Sequence, residues 1–433
     1  MKKQILFCIS AIVLLCAPLL MQGQYLRGSY YMDGSSTRLA LNPAMYPQRG
    51  FINLPVIGGT YLEMSTNALG YKDIMEYVED ENINTNNLLG KLSPLNTVDI
   101  NFGTEVLSFG FHTKKNFITF GVATKVNMGI QIPKNMFEYM QNVNNETFTG
   151  EKHYDIANQK VNINAYTEVG VGFSRQINKR LTIGAKAKML LGNANMDLNI
   201  NKMQVDAYLP ETDYQNSYAD ITTDIEFALS GKGVTFEEDQ DGYIEDINIG
   251  EFGVGGYGAA LDLGVNYAIT DQLTVSAAVV DLGFISWSKE ATTVYASKAQ
   301  VHIDDNNEVD VIDFDTFGLK DGVHESRRTT LCSTVSVGAE YGFVNNKVGL
   351  GLLSTTRFGA NRTVTELTAV ATYRPGTMFN ASVSYSMIGG YDTFGLALKL
   401  GPLMVGTDYM FLGGNSKQTN VYMGLSIPLA KKK

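Results

Sequence analysis

Cysteine, histidine, tryptophan and long apolar runs are all scarce in this 433-residue chain, and each scarcity excludes something. Of the three cysteines, Cys8 and Cys16 fall in a leader-like stretch, so the exported chain keeps Cys332 alone and has no internal disulfide. It must be held together by packing and backbone pairing. The four histidines, His112, His153, His302 and His324, leave little material for a histidine-based active site. After residue 21 no segment approaches the ~20 consecutive apolar residues that a membrane helix needs. If the chain lies in a membrane, it crosses as strands. The net charge of −10 falls to near −12 once Lys2 and Lys3 leave with the leader. That argues against a nucleic-acid partner, since phosphate binding needs a basic footprint.

The leader reading rests on residues 1–23, a signal peptide with Lys2 and Lys3 as the basic region, Ile5 to Met21 as the apolar region and Gln22-Gly23 as the small-residue exit. Pro18 and the polar exit speak against a retained anchor. Leu15 before Cys16 speaks against a lipid-modified cysteine.

What the chain does have is 43 glycines, 23 tyrosines and 21 phenylalanines, with only ten prolines, in segments of period two. Ile118, Phe120, Val122, Val126 and Met128 alternate with Thr119, Gly121, Ala123, Lys125 and Asn127. Phe379, Ala381, Val383, Tyr385 and Met387 likewise oppose Asn380, Ser382, Ser384 and Ser386. One face is apolar and the other small, polar or charged, which fits a soluble sandwich or a membrane barrel with a polar lumen. Connection lengths decide between them. Fourteen strands are read between 51 and 429, and the long connections (65–96, 130–159, 201–254, 286–328) fall at every other position. Tight turns at 113–116, 176–180, 269–272 and 343–346 lie between them. This parity is that of outer-membrane barrels, with short periplasmic turns and long external loops. The expected fold is all-β: a transmembrane antiparallel barrel of about 14 strands over 51–433, in contact with outer-membrane lipid.

Several motifs carry possible chemistry. In "EEDQDGYIEDIN", Glu237, Asp239, Asp241, Gly242 and Glu245 occupy five slots of a calcium loop, but position 12 is Asn248 and position 1 is Glu. A solvated acidic loop is the first reading, calcium the second; no other cofactor is expected. "HIDDNNEVDVIDFD" reads as another solvated acidic loop. The polar set on the inward phase, Lys125, Glu168, Lys186, Lys188, Asp262, Glu340, Glu366, Lys399 and Asp408, mixes both signs. Mutual pairing is the first reading and a translocation path the second. No serine stands in a G-x-S-x-G elbow, so no catalytic residue is assigned and the chain is not read as an enzyme. Trp287 reads as an interfacial belt residue. Asp281 would point at lipid unless a bulge near Gly283 shifts the register or the residue finds a partner.

The fourteen strands, the "NPAMYP" segment before the first strand and the "DLGFISW" strand end resemble the FadL-type fatty-acid transport barrels and PorV-like relatives. More closely, the chain is similar to an uncharacterised outer-membrane barrel family of Bacteroidota. The resemblance implies that residues 24–50 fold into the lumen as a plug, with Asn42, Pro43 and Ala44 as the hatch motif. Independently, proline cannot donate to a strand ladder and biases Asn42 away from helix. The functional expectation is uptake or passage of a hydrophobic small molecule across the outer membrane. The alternative is a non-transporting, PorV-like secretion-accessory barrel whose loops bind a protein partner.

Overall fold

The computed structural model describes residues 26–55, 58–70, 72–73, 85–145, 149–210, 216–238, 244–304, 318–388, 391–410 and 415–429. Fourteen antiparallel strands form the wall. They are β1 (Phe51–Asn53 continued by Thr60–Thr66), β2 (Leu95–Thr113), β3 (Asn116–Pro133), β4 (Gln159–Gln176), β5 (Leu181–Leu209), β6 (Gly256–Ala268) and β7 (Leu273–Trp287). The circuit continues through β8 (Arg327–Thr330 with Thr334–Phe343), β9 (Val348–Phe358), β10 (Thr363–Tyr373), β11 (Phe379–Ile388), β12 (Tyr391–Leu400), β13 (Leu403–Thr407) and β14 (Gln418–Pro428). Each pairs with its neighbours, and β14 returns to β1 with Ile52 opposite Ile427 and Leu62 opposite Val421. The sheet is closed. Closure matters because a barrel leaves no lipid-exposed edge of unpaired N–H and C=O groups.

The alternation sorts side chains as a bilayer requires. Val171, Met189, Val337, Leu350, Leu352 and Val383 face outward, each more than half exposed, while Ser276, Ser336, Thr368, Ser382, Ser384 and Ser386 are buried inside. An apolar exterior around a polar lumen is the form in which β-structure spans a membrane. Tight turns and the outer ends of β1 and β14 share one rim, and the long connections share the other.

The wall is uneven in height. β2 to β5 run 18 to 29 residues, whereas β9 to β12 run 10 or 11. The tall side carries a folded crown: the upper part of β5 pairs with strands Gly150–Asp155 and Tyr218–Glu238, and the latter with Thr292–Ser297 and Gln300–Asp304. One crown face carries Tyr154, Val205 and Ile221, packed with Met136 and Tyr139 of the helix Lys134–Asn145. This corrects two expected loops, since much of 201–254 and part of 286–328 is strand. At Asn201 the register slips, and the apolar phase moves from Met196, Leu198 and Ile200 to Met203 and Val205. Read without the slip, the strand stops at 200.

A second slip corrects Trp287. Between β6 and β7, Leu261 faces Leu282 and Leu263 faces Val279, so Val280 and Asp281 together oppose Asp262. Asp281 takes φ +58°, the left-handed region, and the phase inverts beyond it. Leu282 turns out, while Ile285 and Trp287 turn in. Trp287 is 1% exposed and donates from Nε1 to Thr329 Oγ1 at 2.9 Å, so it belongs to an interior cluster with Tyr166, Leu190 and Leu331 and not to an interfacial belt.

Candidate functional site

The segment Leu26–Gln48 contacts inward-facing groups of β5, β6, β7, β9 and β11 and the residue just past β13. It makes no ladder with the wall. Two short 3-10 turns, Arg27–Ser29 and Thr37–Ala40, fold it locally, and side chains fasten it. Asp408, at the end of β13, accepts from the backbone N–H groups of Arg27 and Gly28, both at 2.8 Å. Arg27 Nε lies 2.8 Å from Glu366 Oε2, which also accepts from Tyr409 at 2.9 Å. Farther along, Tyr31 donates to the Leu352 carbonyl at 2.6 Å, and Arg374 bridges the Tyr31 carbonyl and Glu340.

Asn42, Pro43 and Ala44 sit against β4 to β7. Asn42 Oδ1 accepts from the Ala44 N–H at 2.9 Å, closing a local Asx turn, and its Nδ2 donates to Tyr30 Oη at 3.0 Å. Ser174 donates to the Pro43 carbonyl at 2.5 Å. Two glycines make room: a Cβ on Gly264 would fall 2.1 Å from Asn42 Oδ1, and one on Gly184 2.4 Å from the Pro43 carbonyl group. The apolar side chains of the segment fill wall hollows. Tyr30, Tyr31, Leu41 and Met45 pack with Leu353 and Val370, and Leu26 and Met32 with Tyr61, Met404 and Tyr422.

The inward charges gather in groups. Lys125 lies 3.0 Å from Glu168 and 3.2 Å from Asp281; Lys188 lies 2.7 Å from Asp262 and 2.6 Å from Asp281; Lys186 lies 3.2 Å from Glu168. Three lysines and three carboxylates thus balance in one patch on β3 to β7. Asp281 reaches it because the bulge turns it inward. Removing one member of such a buried set strands its partners. Glu366 and Asp408 instead hold the N-terminal segment directly, and Glu340 does so through Arg374. Lys399 stands apart, donating to the Thr377 and Gly401 carbonyls at the short-turn rim.

Sequence reasoning missed a further set. Arg357 on β9 reaches Glu63 on β1 at 3.0 Å and Asn101 on β2 at 2.5 Å; Arg362 lies 2.7 Å from Asp99. With Arg27 and Glu366 they line a small polar cavity of ≈ 30 Å³. Their signal in sequence is an interrupted small-residue phase: Arg357 and Glu63 are the charged members of otherwise apolar or hydroxylated strands. Arg27 has none, because it precedes any periodic segment. Residues 1–23, Asp239 and Asp241 lie outside the described residues, as do the side chains of Glu237 and Glu245.

A family model matches residues 43–408, and its description is a family of unknown function, DUF5723. The chain belongs to DUF5723. That match begins at Pro43 in the N-terminal segment and ends at Asp408, which accepts from the Arg27 and Gly28 N–H groups. No curated protein matches this DUF5723 chain. Among solved structures it is similar to the Pseudomonas putida toluene transporter TodX, with 11% identity over 92% of this chain and 95% of that one and a TM-score of 0.40. It is also similar to a Pseudomonas aeruginosa FadL homologue, at 10% identity over 94% and 98% with a TM-score of 0.33. A third is the Ralstonia pickettii toluene transporter TbuX, at 9% identity over 95% and 96% with a TM-score of 0.32. The assignment of this DUF5723 wall rests on its own strand registers.

Proposed function

We propose that the protein is an outer-membrane channel held shut by its own N-terminal segment, and that it passes a hydrophobic small molecule when that segment moves. The observation that carries the reading is the way the segment is fastened. Side-chain hydrogen bonds, ion pairs and apolar contacts hold it, with no strand pairing to the wall, so it can leave without opening the barrel. The hollows filled by Leu26, Tyr30, Tyr31, Met32, Leu41 and Met45 are the surfaces for which an apolar solute would compete. In this reading Asn42, Pro43 and Ala44 form the hatch, Asp408 and Glu366 its latch, and no group acts catalytically.

A second reading has an observation of its own. The lumen beside the segment holds the paired charges Arg357–Glu63 and Arg362–Asp99 around a small polar cavity, and the tall side carries a folded crown. This favours an anchored surface protein whose crown binds a protein partner. Limited proteolysis separates the two. Under the channel reading, a panel of small apolar solutes raises trypsin cleavage at Arg38 in the folded barrel. Resistance unchanged across the panel favours the anchor.

A further inference from the structure

The crown has one face on the helix Lys134–Asn145 and the other open. On the open face, strand register aligns four residues in one unbroken row: His153 opposite Asp206, Asp206 opposite Asp220, and Asp220 opposite His302. Each imidazole is turned onto its carboxylate neighbour. His153 Nδ1 lies 2.6 Å from Asp206 Oδ1, and His302 Nδ1 lies 2.7 Å from Asp220 Oδ1, with its Nε2 3.5 Å from Asp304. All four side chains are more than half exposed.

Two carboxylates stand directly opposite each other in this row. That arrangement destabilises a sheet pair unless something offsets it. No lysine or arginine does so in the adjoining rows of this face, which read Glu151, Tyr208, Tyr218, Asp304 on one side and Asp155, Gln204, Thr222, Gln300 on the other. The face is therefore acidic, with imidazoles at both ends of its central row.

We propose that this row is a binding site for a divalent transition metal of the zinc class. Mixed imidazole nitrogen and carboxylate oxygen is the donor set such ions take, whereas calcium and magnesium take oxygen alone. Neighbouring strands are about 4.8 Å apart, so three consecutive positions span roughly 10 Å. One imidazole and two carboxylates can converge on an ion across that span. Reading His-Asp-Asp from either end gives the same donor set. Among the described residues no three such groups already meet at a point, and rotation of an exposed ring about χ1 and χ2 makes the change. The ion would neutralise the facing Asp206 and Asp220 and tie three crown strands together.

The test is calorimetric titration of the tag-free full chain in detergent with zinc chloride, and separately with calcium chloride. Saturable zinc binding at one ion per chain is expected, weakened at least tenfold in the His153→Ala, His302→Ala double variant and lost in Asp206→Asn, Asp220→Asn, with no calcium heat. Zinc affinity unchanged by the histidine pair, calcium binding as strong as zinc, or no saturable zinc binding overturns the site. Heat-modifiable gel mobility checks that each barrel is folded. Should the aspartate variant fail that check, the histidine variant decides alone.

Discussion

Gly264 and Gly184 lie where the wall touches Asn42 and Pro43, and neither site has room for a Cβ. Gly264→Val therefore displaces the segment while the β6 ladder stays intact, and the expected outcome is trypsin access to Arg38 in a barrel of normal heat-modifiable mobility. Gly121→Ala is the control, because its nearest neighbour is the Ser108 Cβ at 3.3 Å. Resistance in Gly264→Val equal to that of the control contradicts the packing. Asp281 supplies a second residue-scale case. Asp281→Gly accepts φ +58° more readily than aspartate does, so a loss beyond the ~1 kcal/mol of glycine's backbone entropy is electrostatic. It leaves Lys125 and Lys188 short of a partner and is expected to cost about 3–5 kcal/mol in denaturant unfolding. Wild-type stability in this variant would remove the charge patch as a structural element. The inward charges were legible in the alternation of single strands, because charge facing lipid is costly. Their partners were not. Lys125 and Asp281 meet through barrel closure, and Trp287 was misplaced because a bulge inverts the phase that a period of two assumes.

At the scale of elements, the fourteen strands and the parity of their connections could be read from periodicity and turn spacing. The crown could not, because the slip at Asn201 hides the continuation of β5 behind two polar residues, Asn201 and Lys202. Its stability depends on apolar burial against one helix: Val205 and Ile221 are 0% and 2% exposed. Each such side chain is worth about 1.5–3 kcal/mol by burial. Val205→Lys adds an unpaired charge to that loss. The expected result is a crown open to protease between 196 and 230 on a barrel that still runs as folded. A crown that stays resistant would mean the helix contact does not hold it. The same register that builds this sheet aligns His153 and His302 in one row from segments far apart in the chain. No local motif search would pair them.

As a whole molecule, the protein is a closed barrel with a polar interior, an apolar exterior and an N-terminal segment seated on Asp408 from far along the chain. Arg27, Gly28 and Asp408 join distant parts of the sequence. Asp408→Ala removes an acceptor for two backbone N–H groups and part of the charge around Arg27. It is expected to loosen the segment without opening the wall, giving an intermediate permeability between those of the intact chain and a full deletion. The central claim is that this segment closes the lumen. Planar-bilayer conductance of the intact protein and of a chain lacking residues 25–48 tests it most directly. The account predicts a silent intact barrel and discrete conducting steps from the deletion. A correctly folded deletion as silent as the intact protein would contradict it.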